Sequence, residues 1–194
     1  MPSHVCPWWI GYLLVSPLRR LFHSASKVVA PYVHEGMTVL EPGPGMGFFT
    51  LELARRVGAS GRVVAVDVQS RMLDQLKRRA AKAGLLERLD ARLAHPDSMG
   101  LADLAGKVDF ALAFAVVHEM PSASAFFAET FAVMKPNACL LFVEPAGHVK
   151  PPLFDKELAC AADAGFVLEG RPAISHSHAA MLKKPAWQFA QAPG

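Results

Sequence analysis

Short apolar runs alternate along the chain with longer stretches whose apolar residues recur at helical spacing. The runs rich in apolar and β-branched residues predict strands at residues 38–41, 63–67, 91–94, 110–115 and 140–144. Helical spacing predicts helices at residues 50–57, 72–83, 101–104, 124–134 and 154–164. This alternation is typical of right-handed βαβ units, so it predicts a three-layer α/β fold around a mostly parallel sheet.

The last part of the chain departs from this alternation. The stretch GFVLEGRPAISHSHAAMLKKP predicts two extended segments about a polar turn, and therefore an antiparallel hairpin at the end of the sheet. Within it, His176 and His178 fall on one side of a predicted strand, either as a surface pair or turn or as pocket contacts. With 194 residues, 52% of them apolar, the chain has the size and core of one domain.

The amino-terminal stretch CPWWIGYLLVSP is apolar but short. No cationic stretch precedes it, and it falls well below the roughly 20 residues that span a bilayer, so it predicts neither a signal peptide nor a membrane helix. Ser16 and Pro17 are typical of a helix start. Residues 1–27 are therefore interpreted as a lid or as an ordinary N-terminal helix packed on the sheet, and Trp8, Trp9 and Tyr12 could form an aromatic wall.

The charge and the cysteine content disfavour a nucleic-acid-binding protein, a disulfide-stabilised secreted protein and a zinc protein. The net charge is +3, and the basic residues are too scattered to form a nucleic-acid footprint. Cys6, Cys139 and Cys160 have neither disulfide-scaffold nor zinc spacing, which favours a reducing cytoplasm and predicts no metal site.

The segment VLEPGPGMG places Gly43, Gly45 and Gly47 on the first strand-to-helix turn. In an open parallel sheet this turn is the usual ligand contact, and glycine lets a ligand approach the backbone. The third glycine comes one residue too early for a dinucleotide fingerprint, and no GK[ST] follows for a phosphate loop. Glu41 at the strand end favours a cationic rather than a phosphate neighbour.

The segment VVAVDVQ ends its apolar run at Asp67. A carboxylate at the tip of the second strand can accept hydrogen bonds from both hydroxyls of a ribose. The alternative is that Asp67 caps the helix that begins near Ser70. An adenosine with a positively charged centre fits the glycine turn and Asp67 best.

Four segments in this order, VLEPGPGMG, VVAVDVQSRML, VDFALAFAVVHEM and MKPNACLLFVEP, resemble the motif series of class I S-adenosylmethionine-dependent methyltransferases. The resemblance covers about residues 28–170 and is strongest to small single-domain bacterial enzymes of the ubiquinone/menaquinone type. It implies a Rossmann-like seven-stranded sheet with an antiparallel last hairpin, a single domain over residues 1–194 with its cofactor-binding core at 28–194, and S-adenosylmethionine as cofactor.

The resemblance also implies roles for individual residues. Those implied to contact the cofactor are Glu41, Gly43, Gly45 and Gly47 at its methionine end, Asp67 at the ribose, Val68, Asp97 and Ser98 at the adenine, and the carbonyls of Phe114 and Ala115 near the ammonium. The segment AHPDSM lacks the common Gly-Asp-Ala, which weakens the adenine assignment.

His118 and Glu119 follow the fourth strand, where acceptor and methyl group would meet. His118 could act as a general base or orient the acceptor, with Glu119 orienting His118 or beginning the next helix. The alternative is that both residues only cap and pack a turn.

The resulting hypothesis is methyl transfer to a small apolar or aromatic molecule. The fourth strand lacks the Asn/Asp-Pro-Pro-aromatic and Pro-Cys patterns of nucleobase methyltransferases, which disfavours a nucleic-acid substrate. Cys139 and Cys160 are interpreted as core residues, which disfavours an arsenite methyltransferase. A non-catalytic cofactor-binding protein and, less favoured, a nicotinamide-dependent oxidoreductase stay open. Neither the acceptor atom nor the oligomeric state follows from the sequence.

Overall fold

The computed structural model describes residues 24–95 and 97–186. Within these residues, seven strands form one sheet in the order β3-β2-β1-β4-β5-β7-β6. The strands are β1 (Thr38–Pro42), β2 (Arg62–Asp67), β3 (Leu89–Leu93), β4 (Val108–Phe114), β5 (Met134–Pro145), β6 (Val167–Gly170) and β7 (Ser177–Lys183). The first five are parallel, and β7 runs antiparallel to both β5 and β6. The predicted fold class is confirmed.

Helices cover both faces of the sheet. They are α1 (Ala25–Val29), α2 (Thr50–Arg56), α3 (Ser70–Lys82), α4 (Ala123–Val133) and α5 (Pro151–Asp163). The inward face of α3 carries Met72, Leu73, Leu76 and Ala80, as its amphipathic spacing predicts. Ser122 caps α4 by accepting a hydrogen bond from the N–H of Ala125 at 3.2 Å.

Two predicted elements differ from the structure. Residues 101–104 were predicted as a helix but form only a 3₁₀ turn, Ala102–Leu104. Strand β5 begins at Met134 rather than residue 140, since Met134 already pairs with Val108 before the register shifts. The sequence does not predict this start, because the residues after Met134 are polar and exposed and include Asn137 in a left-handed conformation.

The two faces of the sheet have separate aromatic cores. On the side of α4 and α5, the ring of Phe142 stacks on that of Phe154 at 4.9 Å and meets that of Phe127 edge-on at 5.4 Å. On the opposite side, Tyr32 stacks on Phe110 at 5.7 Å. Side chains alternate along a strand, so Glu144, two residues after Phe142, lies on the α4 and α5 side at the carboxyl end of β5.

Some predictions lie outside the described residues. The N-terminal lid or helix is among them, with Trp8, Trp9 and Tyr12; only its last residues are described, where Ser24 caps the short α1. Among the described residues, none of the helices is both long and apolar enough to cross a bilayer.

Candidate active site

The glycine turn after β1 contains three left-handed residues that serve different purposes. Gly43, Gly45 and Gly47 have φ angles of 64°, 54° and 86°. A Cβ on Gly43 would lie 2.5 Å from Cγ2 of Val116, and one on Gly47 would collide with the side chain of Leu76. A Cβ on Gly45 would meet nothing within 4 Å. Gly43 and Gly47 therefore admit neighbouring side chains, and only Gly45 offers open backbone to a ligand.

This difference predicts the effect of Gly45→Ala. The left-handed backbone should cost about 1 kcal/mol of stability, and the new methyl group should project where the cofactor approaches. We expect affinity for S-adenosylhomocysteine, measured by calorimetry, to fall by tenfold or more, the equivalent of about 1.4 kcal/mol. Gly84→Ala is the matched control, because Gly84 has φ 67° and is equally open. Equal affinities in the two variants would contradict the assignment of Gly45.

Asp67 lies at the tip of β2 and contacts the glycine turn. Its Oδ1 accepts a hydrogen bond from the N–H of Gln69 at 2.9 Å, and the N–H groups of Gly45 and Val68 also bond to the carboxylate. Burial raises the pKa of Asp67 to about 6, assisted by the charge of Glu119 and opposed by the backbone N–H groups. Gln69, not Asp67, occupies the N-cap position of α3, so the capping alternative is wrong.

Several predicted cofactor contacts surround these groups. Glu41 is 4% exposed in β1, directly before the turn. Val68 is 47% exposed beside Asp67 and offers an apolar surface at the strand tip. Asp97 is exposed in the segment after β3. The hydroxyl of Ser98 donates to Oε1 of Glu129 at 3.1 Å and accepts from the N–H of Gly100, so it bonds within the fold.

The end of β4 has an unusual backbone. Ala115 is left-handed with φ 57°, a conformation that costs a non-glycine residue about 1 kcal/mol. Its N–H still donates to the carbonyl of Val143 at 2.7 Å, so the chain leaves the sheet directly after this bond. Phe114 packs its ring on Phe49, with centroids 4.5 Å apart. Such strain is found at ligand-binding turns.

His118 lies in the 3₁₀ turn Val117–Glu119 and is held by Glu144, which is not among the predicted site residues. Its Nδ1 lies 2.5 Å from Oε2 of Glu144, while Oε1 of Glu144 accepts the N–H groups of Val117 at 2.8 Å and His118 at 3.3 Å. Glu144 is fully buried. Its hydrogen bond and charge raise the pKa of His118, against the lowering effect of burial.

Glu119 does not begin the next helix, which starts only at Ala123. Its Oε1 lies 3.9 Å from Nε2 of His118, and its charge helps to raise the pKa of that ring. The hydrogen bond that orients His118 is the one to Glu144. The signal that could have revealed Glu144 is the single acidic residue ending the apolar run CLLFVEP at the carboxyl edge of the sheet.

The glycine turn and the His118 turn form one site. Strand β1 lies between β2 and β4, at the point where the strand order reverses, which is the ligand crevice of open parallel sheets. Val116, two residues before His118, fills the space above Gly43. The charge of Glu119 also acts on Asp67. The glycine turn, Asp67 and the His118 turn therefore lie at the same edge of the sheet.

The residues present fit an adenosyl cofactor. Open backbone at Gly45 lies beside a partly buried carboxylate at the strand tip. A carboxylate has about four acceptor positions, so Asp67 retains about one for a ribose hydroxyl beyond its three backbone bonds. Among the described residues, no cluster of His, Cys, Asp and Glu side chains is arranged to hold a metal ion.

The chain belongs to the methyltransferase-domain family, since the family model described as "Methyltransferase domain" matches residues 39–137. Curated relatives include the arsenite methyltransferase of Halobacterium salinarum, 31% identical over 102 residues, which are 53% of this chain and 25% of the relative. The ubiquinone/menaquinone biosynthesis C-methyltransferase of Brucella suis is 26% identical over 128 residues, 66% of this chain and 46% of the relative. The chain thus spans less than half the length of these relatives.

Solved structures share the fold. A SAM-dependent methyltransferase from Aquifex aeolicus superposes with a TM-score of 0.82 at 24% identity, covering 93% of this chain and 100% of that one. An O-methyltransferase from Thermotoga maritima gives 0.68 at 16% identity, with 90% and 72% covered. The resemblance to class I methyltransferases is confirmed, and S-adenosylmethionine is the cofactor that the family implies.

Proposed function

We propose that the protein transfers a methyl group from S-adenosylmethionine to a small apolar or aromatic molecule, and that His118 accepts the proton which the acceptor atom loses. The observation that supports this most directly is the pair of His118 and Glu144 beside the glycine turn. The residues proposed to bind the cofactor are Glu41, Gly43, Gly45, Gly47, Asp67, Val68, Asp97, Ser98, Phe114 and Ala115.

When bound, S-adenosylmethionine supplies an electrophilic methyl group on a positively charged sulfur. In the proposed reaction, the acceptor atom bonds to the methyl carbon, the carbon–sulfur bond breaks, and the acceptor's proton moves to Nε2 of His118. The carboxylate of Glu144 keeps the proton of the neutral imidazole on Nδ1, which leaves the lone pair on Nε2. Glu144 also stabilises the imidazolium that forms.

The test of this proposal has two stages. Calorimetric titration with S-adenosylhomocysteine should show binding, and NAD should not compete for the site. Incubation with S-adenosylmethionine and a panel of aromatic and apolar acceptors should then yield S-adenosylhomocysteine, detected by mass spectrometry. No binding would contradict the cofactor site, whereas binding without turnover across the panel would favour the non-catalytic alternative.

The apolar character of the acceptor is proposed from the N-terminal stretch with Trp8, Trp9 and Tyr12. Deleting residues 1–15 should raise KM about tenfold or more while the protein stays folded, because an aromatic contact surface is lost. Unchanged KM and kcat in a folded deletion variant would contradict the lid. The measurement requires the acceptor found by the panel and circular dichroism to verify folding.

The substrate in the name of the Halobacterium relative is not proposed for this chain. The two described cysteines lie on opposite faces of the sheet, with Cys139 packed on the side of α1 and α2 and Cys160 on the side of α4 and α5. Capture of a thiol-binding substrate by this pair is therefore not supported. Both are only partly buried, and each packs at the margin of its core.

A further inference from the structure

Helix α5 carries a buried acid that the proposed reaction does not use. Glu157 lies on the inward face of the helix between Phe154 and Ala161 and is 4% exposed. Its Oε2 is buried and has no hydrogen-bond partner within residues 24–95 and 97–186. Carboxylates are almost never buried unless they are paired, because losing water costs the charged group several kcal/mol. The described residues therefore leave one oxygen atom of Glu157 without the partner that a buried carboxylate requires.

Glu157 borders the site that contains His118. The charges of Glu144 and His118 both act on its carboxyl group, so the three ionisable groups lie within electrostatic reach of one another. One turn earlier in α5, the ring of Phe154 lies 5.4 Å from that of His178. His178 pairs directly opposite Glu144 in the sheet, and its Nε2 is likewise buried without a hydrogen-bond partner in the described part of the chain.

The two histidines predicted on one side of a strand are separated in the structure. His176 lies in the left-handed turn before β7, while His178 lies within β7. The ring of His178 packs on that of Phe154, so His176 and His178 do not form a pair at the surface. Two buried polar atoms on the side of α5, Oε2 of Glu157 and Nε2 of His178, have no hydrogen-bond partner among residues 24–95 and 97–186.

The charge around Glu157 indicates which kind of ligand fits. Burial, and then repulsion by Glu144, raises the pKa of Glu157 to about 7, with His118 opposing. A neutral hydroxyl would satisfy one oxygen atom but would leave the repulsion between the acids in place. A cation with N–H groups would satisfy the oxygen and compensate the second negative charge. Of the other titratable groups, Glu144 and His118 act on Glu157 directly, and His178 lies opposite Glu144 in the sheet. Glu119 and His148 lie beside His118.

We infer that Glu157 recognises the methyl acceptor, and that its buried carboxylate accepts a hydrogen bond from an ammonium group on that molecule. The acceptor class is then an aromatic or apolar amine, held with its reacting atom toward His118. This inference rests on the proposed function, because it places the acceptor at the same site. It adds a specificity-determining residue that contacts the acceptor and not the cofactor.

The test compares an amine with its neutral and acidic analogues. The full chain, saturated with S-adenosylhomocysteine, is titrated by calorimetry with 2-phenylethylamine, 2-phenylethanol and 3-phenylpropionate. We expect the amine to bind at least tenfold more tightly than the alcohol, since a hydrogen bond to a charged partner contributes about that much. The Glu157→Gln variant should lose this preference. Asp163→Asn, which changes an exposed acid on the same helix, should retain it.

Proton release provides a second, independent readout. At pH 7 a carboxyl with a pKa of about 7 is half protonated, and a bound cation favours its ionised form. Amine binding should therefore release about 0.5 proton, measured from heats in phosphate and Tris buffers. Glu157→Gln should release none, and its thermal unfolding verifies that the variant is folded.

The outcomes separate this inference from the proposed function. If S-adenosylhomocysteine does not bind, the cofactor site itself is wrong. If it binds but wild type shows no preference for the amine, or if the preference or the proton release survives in Glu157→Gln, the role of Glu157 is overturned. In that case an internal water that satisfies Glu157 and His178 becomes the explanation of the buried polar atoms.

Discussion

Replacing His118 by Gln is expected to lower kcat by about 10²- to 10⁴-fold, the usual contribution of a positioned general base. Affinity for S-adenosylhomocysteine should not change, because the substitution leaves the glycine turn and Asp67 intact. The Gln side chain is similar in size but cannot accept and carry the proton. Steady-state kinetics with the acceptor from the screen, together with calorimetry for the cofactor product, measure both quantities.

The pH profile distinguishes a base from a residue that only packs the turn. His118 must be neutral to accept a proton, and Glu144 raises its pKa, so the acid limb of kcat should lie above the ordinary imidazole value of 6.5. Glu144→Gln removes the charge that favours the imidazolium and should move this limb to lower pH. Glu87→Gln, at an exposed acid, is the control. An unchanged kcat in His118→Gln would contradict the proton-acceptor role and leave the turn-capping alternative.

The sheet could be predicted from the sequence because burial on both faces requires continuous apolar runs. Strand β2 is buried from Val63 to Val66, and its run was recognised to within one residue. The start of β5 could not be recognised, because Lys135 and Asn137 are polar and exposed, and a strand there depends on pairing with distant β4.

The parts of the site that depend on residues close together in the sequence could be predicted. The parts that depend on contacts between distant segments of the chain could not. Glycine spacing located the turn, but only the fold shows that Gly43 makes room for Val116 and Gly47 for Leu76. Glu144, which is hydrogen-bonded to His118, lies 26 residues after it in the chain. A contact of that kind leaves no periodic pattern, and only an acid at the end of an apolar strand indicated it.

Replacing Asp67 by Asn is expected to weaken S-adenosylhomocysteine binding about 100-fold at neutral pH. Hydrogen bonds to a charged acceptor contribute about 1.5–3 kcal/mol each, and the amide retains only one acceptor oxygen. In the wild type, affinity should rise as the pH increases through about 6, where the carboxyl ionises. The variant should lack this dependence. Comparable affinity in the two proteins at pH 7.5 would contradict a ribose contact by Asp67.

The same substitution should stabilise the protein without ligand. Asp67 has a folded-state pKa of about 6, above the ordinary aspartate value of 3.8, so the folded state binds the proton more tightly than the unfolded state. Its contribution to stability is therefore complete below about pH 4 and is lost as the pH rises through about 6.

Asn does not titrate, so the stability of Asp67→Asn relative to wild type should increase by about 2 kcal/mol between pH 4 and pH 7.5. Urea unfolding at both pH values measures this difference, with Asp97→Asn as an exposed control. A constant difference would contradict the buried, protonation-sensitive carboxyl. We expect Asp67→Asn to gain stability and to lose affinity for the cofactor. This combination is expected when a charged group contributes to binding but lowers the stability of the folded protein.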